Sequence, residues 1–399
     1  MNPLYEAMAT SVFERMSLLA ARHGAVNLGQ GFPDFGWADQ VLEAAATAVV
    51  EESNQYAPSR GLPALREAIA DHYRRHFGSV TSADATAADM TAADITTAAQ
   101  VCVTSGATEA LGAAILASVS PGDEVIIFTP AYDSYAPMIR RAGGIVREVA
   151  LKPPQWRIDE GDLRAAIGTR TRVMIFNNPQ NPTGRLFGRD ELEVVARVAL
   201  EHDLIVISDE VWEHILLDDQ TFTPLASLPD MARQVIKIGS AGKIFALTGW
   251  KVGWMVAPVD LAGTIARAHQ FLTFCTPPNL QSAVAFGLDQ GDAWIAPMQQ
   301  RFARARDRMT RGLRDAGFAV LDAQATYFLC VDLAASGIAL DDEAFAALAV
   351  EQAGVAVVPL SPFADQDKPS HLIRLCFGKK DETIDRGVAA MARAKALAA

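Results

Sequence analysis

VIKIGSAGKIFALTGWKVGW, residues 235–254, sets the β-branched run Val235–Ile238 against a turn of small residues and then a lysine, Lys243. A lysine held among small residues at the end of an apolar run is partly desolvated. With a second cation, Lys251, close by, its ammonium gives up a proton more readily than in water, which makes it a candidate nucleophile. Ser240 adds a hydroxyl donor. An isolated lysine is most often a solvated surface residue, but Ser240, Lys251 and the Gly-Trp-Lys turn occurring together weigh against that here.

Outward from this stretch the same grammar repeats. The other apolar runs are Val101–Thr104, Glu124–Thr129, Ile145–Val149, Arg172–Phe176, Leu204–Ser208 and Val252–Ala257. Helical patterns lie among them, such as Glu109–Val119, Tyr135–Ala142 and Arg189–His202. Runs alternating with helices predict an α/β fold whose mostly parallel, seven-stranded sheet is covered on both faces. In such sheets ligands bind beyond the carboxyl ends of the strands, so the residues after each run are where chemistry is expected.

Three of those junctions carry suitable groups, and a short strand near the C-terminus carries a fourth. Thr104-Ser105-Gly106-Ala107-Thr108-Glu109 joins a strand to a helix, where backbone N–H groups and the helix dipole can meet a phosphate. An ordinary turn with Ser105 as N-cap is the competing reading. Asn177-Asn-Pro-Gln-Asn181-Pro-Thr-Gly184 is a proline-stiffened loop holding an amide above the sheet edge. In Leu204-Ile-Val-Ile-Ser208-Asp209-Glu210 a carboxylate ends an apolar run; once desolvated it needs a cation or several donors. Capping a helix over Val211–Leu217 is the alternative. Arg374, in Leu372-Ile-Arg-Leu-Cys-Phe377, can present its planar fork to a carboxylate or snorkel to solvent.

Composition sets the frame. The 399 residues are 50% hydrophobic and carry 35 Lys plus Arg against 47 Asp plus Glu, a net charge of −12. Such a chain buries a large core and is not disordered overall. Its acidity argues against nucleic-acid partners, and no apolar stretch approaches the roughly 18 residues of a membrane span. Met1–Arg15 carries Glu6 and Glu14 and does not read as a signal peptide. The four cysteines, Cys102, Cys275, Cys330 and Cys376, have neither pairing nor metal-ligand spacing, so a cytoplasmic, metal-free protein is expected. Three parts are predicted: an N-terminal segment 1–45 packing with a small domain, a large domain 46–290, and a small C-terminal α+β domain 291–399. That last part begins with the helix Trp294–Ala316. The Ala/Asp/Thr-rich stretch 81–100 reads as a surface insertion, flexible or weakly helical.

A phosphate nest, an amide, a buried carboxylate, a nucleophilic lysine, a second cation and a carboxylate-binding arginine match the needs of pyridoxal 5′-phosphate (PLP). With NNPQNPTG (177–184), SDEVWEH (208–214) and GSAGKIFALTGWKVGW (239–254), the chain resembles the class I/II aminotransferases, fold type I of the PLP enzymes. NLGQGFPDF (27–35) and QYAPSRGLPALREAI (55–69) resemble the branch of kynurenine, methionine and N-succinyldiaminopimelate aminotransferases.

The resemblance implies a cofactor aldimine at Lys243, with that residue also moving the substrate proton. Asp209 would pair with the ring nitrogen, Asn181 would donate to the phenolic oxygen and Tyr132 would stack on the ring. Ser105, Gly106, Ala107, Ser240 and Lys251 would hold the phosphate. Tyr56 would reach the phosphate of a neighbouring subunit, so a homodimer with shared sites is implied. Arg374 would clamp the substrate carboxylate, helped by Asn181 and the backbone of Gly31. Trp212 departs from the pattern, standing where the family usually has a tyrosine that donates to the phenolic oxygen; an indole N–H sits differently.

His269, Phe271, Phe274, Phe32, Phe35 and Trp37 could wall a side-chain pocket or form domain-interface core. Arg60 and Arg185 are available to a distal carboxylate. The expected reaction is ping-pong transfer from a hydrophobic, aromatic or sulfur-containing L-amino acid to a 2-oxo acid. N-succinyldiaminopimelate amination and β-elimination from cysteine conjugates are alternatives on the same site. A PLP-binding regulatory module is the non-enzymatic alternative, although no spare length or basic segment is available for a DNA-binding domain. A dinucleotide enzyme is excluded because Gly29-Gln-Gly31 is followed by Phe-Pro-Asp, which cannot open the required helix.

Overall fold

β-branched and aliphatic runs become central strands when both faces are covered, and here nearly every residue of those runs is buried. The computed structural model describes residues 1–6, 8–36, 38–77 and 96–398. After a short strand β1 (Val26–Asn27), the main sheet is built from β2 (Val101–Thr104), β3 (Glu124–Thr129), β4 (Ile145–Ala150), β5 (Thr171–Asn177), β6 (Ile205–Asp209), β7 (Val235–Ser240) and β8 (Gly253–Val256). Their spatial order is β2-β8-β7-β6-β5-β3-β4. Only β8 runs against its neighbours; the other ladders are parallel. β4, at the edge, alternates exposed and half-buried residues over 145–148 before the buried Val149, as a strand only partly covered does.

This order places the chemistry. Asn177 pairs with Asp209, and Gly253 sits opposite both Thr104 and Ser240. The ends of β2, β5, β6 and β7 and the start of β8 therefore share one sheet edge, and the loops leaving them converge.

The smaller part contains β9 (Ala319–Val320), β10 (Phe328–Asp332), β12 (Val358–Pro359) and β13 (Leu372–Cys376), in the antiparallel order β12-β13-β10-β9. β1 pairs in parallel with β11 (Val355–Ala356). The helix Ile295–Asp315 buries Met298, Phe302, Ala305, Met309 and Leu313, one stripe at helical spacing. The helix Val12–His23 buries Val12, Met16 and Ala20 and ends at Gly24 in the left-handed region, φ 59°, the usual place for glycine past a helix. It packs on β11 and β12. The next helix, Asp39–Glu51, crosses residue 45 and packs on Pro278–Asp289, burying Val41 and Ala45 with Phe245 and Trp254.

Of the low-complexity stretch, residues 81–95 lie outside the described residues, as does Trp37. Its last five residues are anchored. Thr96 is buried, Ala98–Gln100 form a 3₁₀ turn, and the carbonyls of Thr96, Ala98 and Ala99 accept from Arg74, Arg66 and Arg60. Among the described residues no helix is long and apolar enough to cross a membrane.

Candidate active site

At the shared strand edge lies a cavity of about 370 Å³. Eleven of the residues singled out from sequence line it: Gly31, Phe32, Gly106, Ala107, Tyr132, Asn181, Asp209, Trp212, Ser240, Lys243 and Lys251.

Lys243 follows β7 in the one-turn helix Ala241–Ile244. Its Nζ donates to Tyr327 Oη at 3.2 Å and lies 4.6 Å from the centre of the Trp212 ring. Burial depresses its pKa to about 8, against the opposing pull of Asp209; Arg374 and Lys251 add to the depression. Tyr327 Oη in turn donates to Gly31 O at 2.8 Å. A phenol therefore does stand beside Lys243, but it enters from the start of β10 and packs edge-on against Trp212, with ring centroids 4.6 Å apart.

Asp209 ends β6 and is buried. Tyr135 Oη donates to its Oδ2 at 2.5 Å and the Val211 N–H points at Oδ1 at 3.5 Å. Burial outweighs these donors and lifts the carboxyl to about 6. The capping alternative is overturned, because Val211–His214 is a turn and not a helix. Glu210 and Glu213 both reach inward to the buried Lys237 there, which curls the chain. Asn177 Nδ2 donates to Asp209 O at 2.8 Å, and Asn177 Oδ1 accepts from the Asn181 N–H at 2.8 Å. One amide thus locks the β6 end to the proline-stiffened loop.

Arg374 is 1% exposed, so the snorkelling alternative is overturned. Its fork donates to Asn181 Oδ1 at 2.7 Å and to Gly29 O at 3.0 Å, and it lies 3.8 Å from the centre of the Phe328 ring. The backbone carbonyl that holds it is that of Gly29, while Gly31, whose carbonyl accepts from Tyr327, lines the cavity. Burial lowers its pKa to about 10, and it stays charged at neutral pH.

The strand-to-helix junction is a nest. Gly106, φ +79°, is the N-cap of the helix Ala107–Ser118. Ser105 is not the cap and does not line the cavity; its N–H is taken by Glu109 Oε2 at 3.0 Å. A Cβ at Gly253 would stand 2.5 Å from the Ala107 nitrogen, and one at Gly106 would stand 3.5 Å from Lys251 Nζ. Backbone donors, a helix N-terminus and an ammonium therefore crowd one spot, as an anionic group requires.

Other expectations fall outside this cavity. Tyr56 is 85% exposed and meets Phe274 edge-on at 5.5 Å on the surface of this chain. His269 is buried beneath Glu109 and Ser59 O, Phe35 lies on Phe302, and Phe271 is exposed. Of the described members of that aromatic group, only Phe32 lines the cavity. Arg60 and Arg185 are engaged elsewhere, by Ala99 O and Val101 O and by Gln324 and Glu191. A larger groove of about 1180 Å³ near Arg306 holds arginines already paired with Asp218, Asp307 and Asp322.

Tyr135, Tyr327, Thr108, Thr248 and Gln30 were not singled out from sequence. Tyr135 reads as a residue of an amphipathic helix and Tyr327 as the start of a strand. Only the proximity of Thr108 to Gly106 offered a local signal.

The chain belongs to the class I and II aminotransferases, a family whose sequence profile matches residues 24–391. That family is PLP-dependent, and the cavity suits such a cofactor: an anion nest, a buried carboxylate and a lysine of depressed pKa line the same space. Among relatives, the chain is 41% identical over 391 residues to the probable N-succinyldiaminopimelate aminotransferase DapC of Mycobacterium tuberculosis, covering 95% of each. It is 40% identical over 377 residues to the methionine aminotransferase of Escherichia coli, covering 94% of each. It is 34% identical to kynurenine–oxoglutarate transaminase 1 of Homo sapiens, covering 92% of this chain and 91% of that one. The solved structure of the M. tuberculosis N-succinyldiaminopimelate aminotransferase superposes with a TM-score of 0.91 over 98% of this chain and 99% of that one.

Proposed function

We propose that this protein transfers the amino group of an L-amino acid to a 2-oxo acid in a ping-pong cycle, using PLP. The observation that carries the reading is Lys243 set within electrostatic reach of the buried Asp209, with Arg374 and Asn181 joined beside them. When bound, the cofactor supplies an electron sink for the substrate's α-carbon.

The chain's own residues supply the rest. Asp209 holds a proton at the cofactor's ring nitrogen; a cation there favours its charged form, which burial alone disfavours. Lys243 Nζ, with its lowered pKa, takes and returns the proton at the substrate's Cα. Arg374, aided by Asn181, grips the α-carboxylate as a fork. Gly106, Ala107, Ser240 and Lys251 hold the phosphate, with Ser105 supporting the junction through its backbone. Tyr132 lies against the ring.

Phe32, Trp212 and Tyr132 give the cavity an apolar wall, which favours hydrophobic, aromatic or sulfur-containing donors; the methionine and kynurenine relatives agree with this. The DapC relatives favour a second reading, N-succinyldiaminopimelate as the amino compound. Exposed Tyr56, Phe271 and Phe274, next to one another in sequence or space, support a homodimer in which Tyr56 and Phe274 complete the partner's site. The unpaired cysteines suit the cytoplasm.

A single-turnover donor panel tests the reading. Loss of cofactor absorbance on adding methionine, aromatic amino acids or N-succinyldiaminopimelate ranks the donors, and turnover is expected to require a 2-oxo acid. Release of pyruvate and ammonia from a cysteine conjugate without that acceptor would identify a lyase. No transfer with any donor, or transfer undiminished in Lys243→Ala, would overturn the proposal.

A further inference from the structure

Three of the seven histidines meet away from the cavity. His72 and His76 lie one turn apart on the helix Pro63–Phe77, so their side chains share a face. His214 comes to them from the turn after Asp209, its backbone carbonyl accepting from Gln299 Nε2 at 3.1 Å. The ring centroids stand 4.4, 4.9 and 4.8 Å apart, and the planes are inclined by 55–70°, converging and not stacked. One ligand atom from each ring lies within 4.8 Å of the others, and His72 Nε2 and His214 Nε2 are only 2.8 Å apart.

The geometry points to a binding site for one divalent transition-metal ion of the zinc class, held by imidazole nitrogens of His72, His76 and His214. Three nitrogens on a tetrahedral zinc stand about 3.3 Å apart at Zn–N distances of about 2.0–2.1 Å. The His72–His214 pair opens slightly and His76 closes to reach that triangle. Imidazole donors select zinc, nickel or copper over magnesium and calcium.

The surroundings favour such an ion. His76 Nε2 is bonded to Asp292 Oδ1 at 2.7 Å, the carboxylate–imidazole contact that orients ligand histidines. His72 and His214 are buried, whereas the side chain of His76 keeps 16% of its surface, which gives an ion and one water a way in. The ion would tie Pro63–Phe77 to the turn that carries Trp212, clamping the far side of the active-site loop.

The test uses the full-length PLP-loaded protein, stripped with a chelator and titrated with Zn²⁺ by calorimetry. One ion per chain is expected, with a rise in melting temperature, and Co²⁺ in its place is expected to give the visible absorption of a tetrahedral nitrogen site. His76→Gln, at the partly exposed position, is expected to weaken Zn²⁺ at least tenfold while keeping the wild-type far-UV spectrum. His371→Gln, at a solvent-facing histidine, is expected to leave binding unchanged. Absence of saturable one-to-one binding, or equal affinity in folded His76→Gln, would overturn the site.

Discussion

The phenol of Tyr135 donates a 2.5 Å hydrogen bond to Oδ2 of Asp209 at the floor of the cavity. Burial pushes that carboxyl up to about 6, and the Tyr135 bond works against the push by favouring the charged form. Tyr135→Phe removes a donor to a charged acceptor, an effect of about 1.5–3 kcal/mol. Cofactor affinity at neutral pH is expected to fall roughly tenfold or more. The pH at which affinity is half lost is expected to move upward, because Asp209 then protonates at higher pH. Titrating PLP into cofactor-free protein from pH 5.5 to 8 checks both; an unmoved midpoint contradicts the assigned role of Asp209.

Lys243 is expected to titrate near pH 8 in the cofactor-free protein, since burial depresses its ammonium from 10.5. Asp209 acts the other way, stabilising the ammonium, so Asp209→Asn is expected to lower the midpoint further. Competitive acetylation across pH, with the Lys243 peptide quantified by mass spectrometry, gives the midpoint directly. A value above 10 in either protein would remove the basis for Lys243 as a proton carrier at neutral pH.

Arg374→Lys keeps a positive charge and discards the fork that reaches Asn181 Oδ1 and Gly29 O together. KM for the amino acid is expected to rise about 10- to 100-fold, in line with the roughly 1.5–3 kcal/mol of a hydrogen bond to a charged group, with kcat changing less. Steady-state kinetics on both substrates separates the two parameters. A fall in kcat at constant KM would place Arg374 in the chemical step and not in carboxylate binding.

Gly106 combines φ +79° with ψ 168°, a backbone state that residues with a Cβ avoid. Gly106→Ala adds strain of about 1–3 kcal/mol and presses a methyl against Lys251 Cε at 3.3 Å. Equilibrium dialysis is expected to show PLP affinity reduced by about five- to 150-fold on that scale, with inorganic phosphate competing less well. Undiminished affinity would mean that the phosphate lies elsewhere.

Much of this site was legible in the sequence because local order wrote it there. Each apolar run ends at one sheet edge, so Asn181, Asp209 and Lys243 are neighbours by topology alone, and the small residues around Gly106 and Gly253 announce a close backbone approach. What stayed hidden depends on tertiary contact. Tyr327 reaches Lys243 across 84 positions and Tyr135 reaches Asp209 across 74; neither carries a local mark that separates it from core. Between pocket wall and core, the sequence left Phe35, His269 and Phe271 open for the same reason, since an aromatic cluster in sequence says nothing about which face each ring takes.

The buried triad of Lys237, Glu210 and Glu213, just behind the Asp209 turn, sets the last expectation. Lys237 Nζ bonds to Glu210 Oε2 and, at 2.6 Å, to Glu213 Oε2, while Tyr73 Oη donates to Glu213 Oε1 at 3.0 Å. Burial raises Glu213 to about 7 despite the ammonium beside it. An acid raised above its unfolded value of 4.5 contributes stability below that pH and loses it as pH climbs through the folded value. Lys237→Met takes away the counter-charge, so Glu213 must rise further and the loss with pH must steepen. Breaking a buried pair from one side costs about 3–5 kcal/mol, most of it where the carboxyls are ionised. The drop in melting temperature relative to wild type is therefore expected to be small at pH 5.5 and large at pH 8, and adding Glu213→Gln is expected to restore part of the loss at pH 8. Equal drops at both pH values would mean that Lys237 acts by packing against Tyr73 and Phe222, and not by holding the two carboxylates.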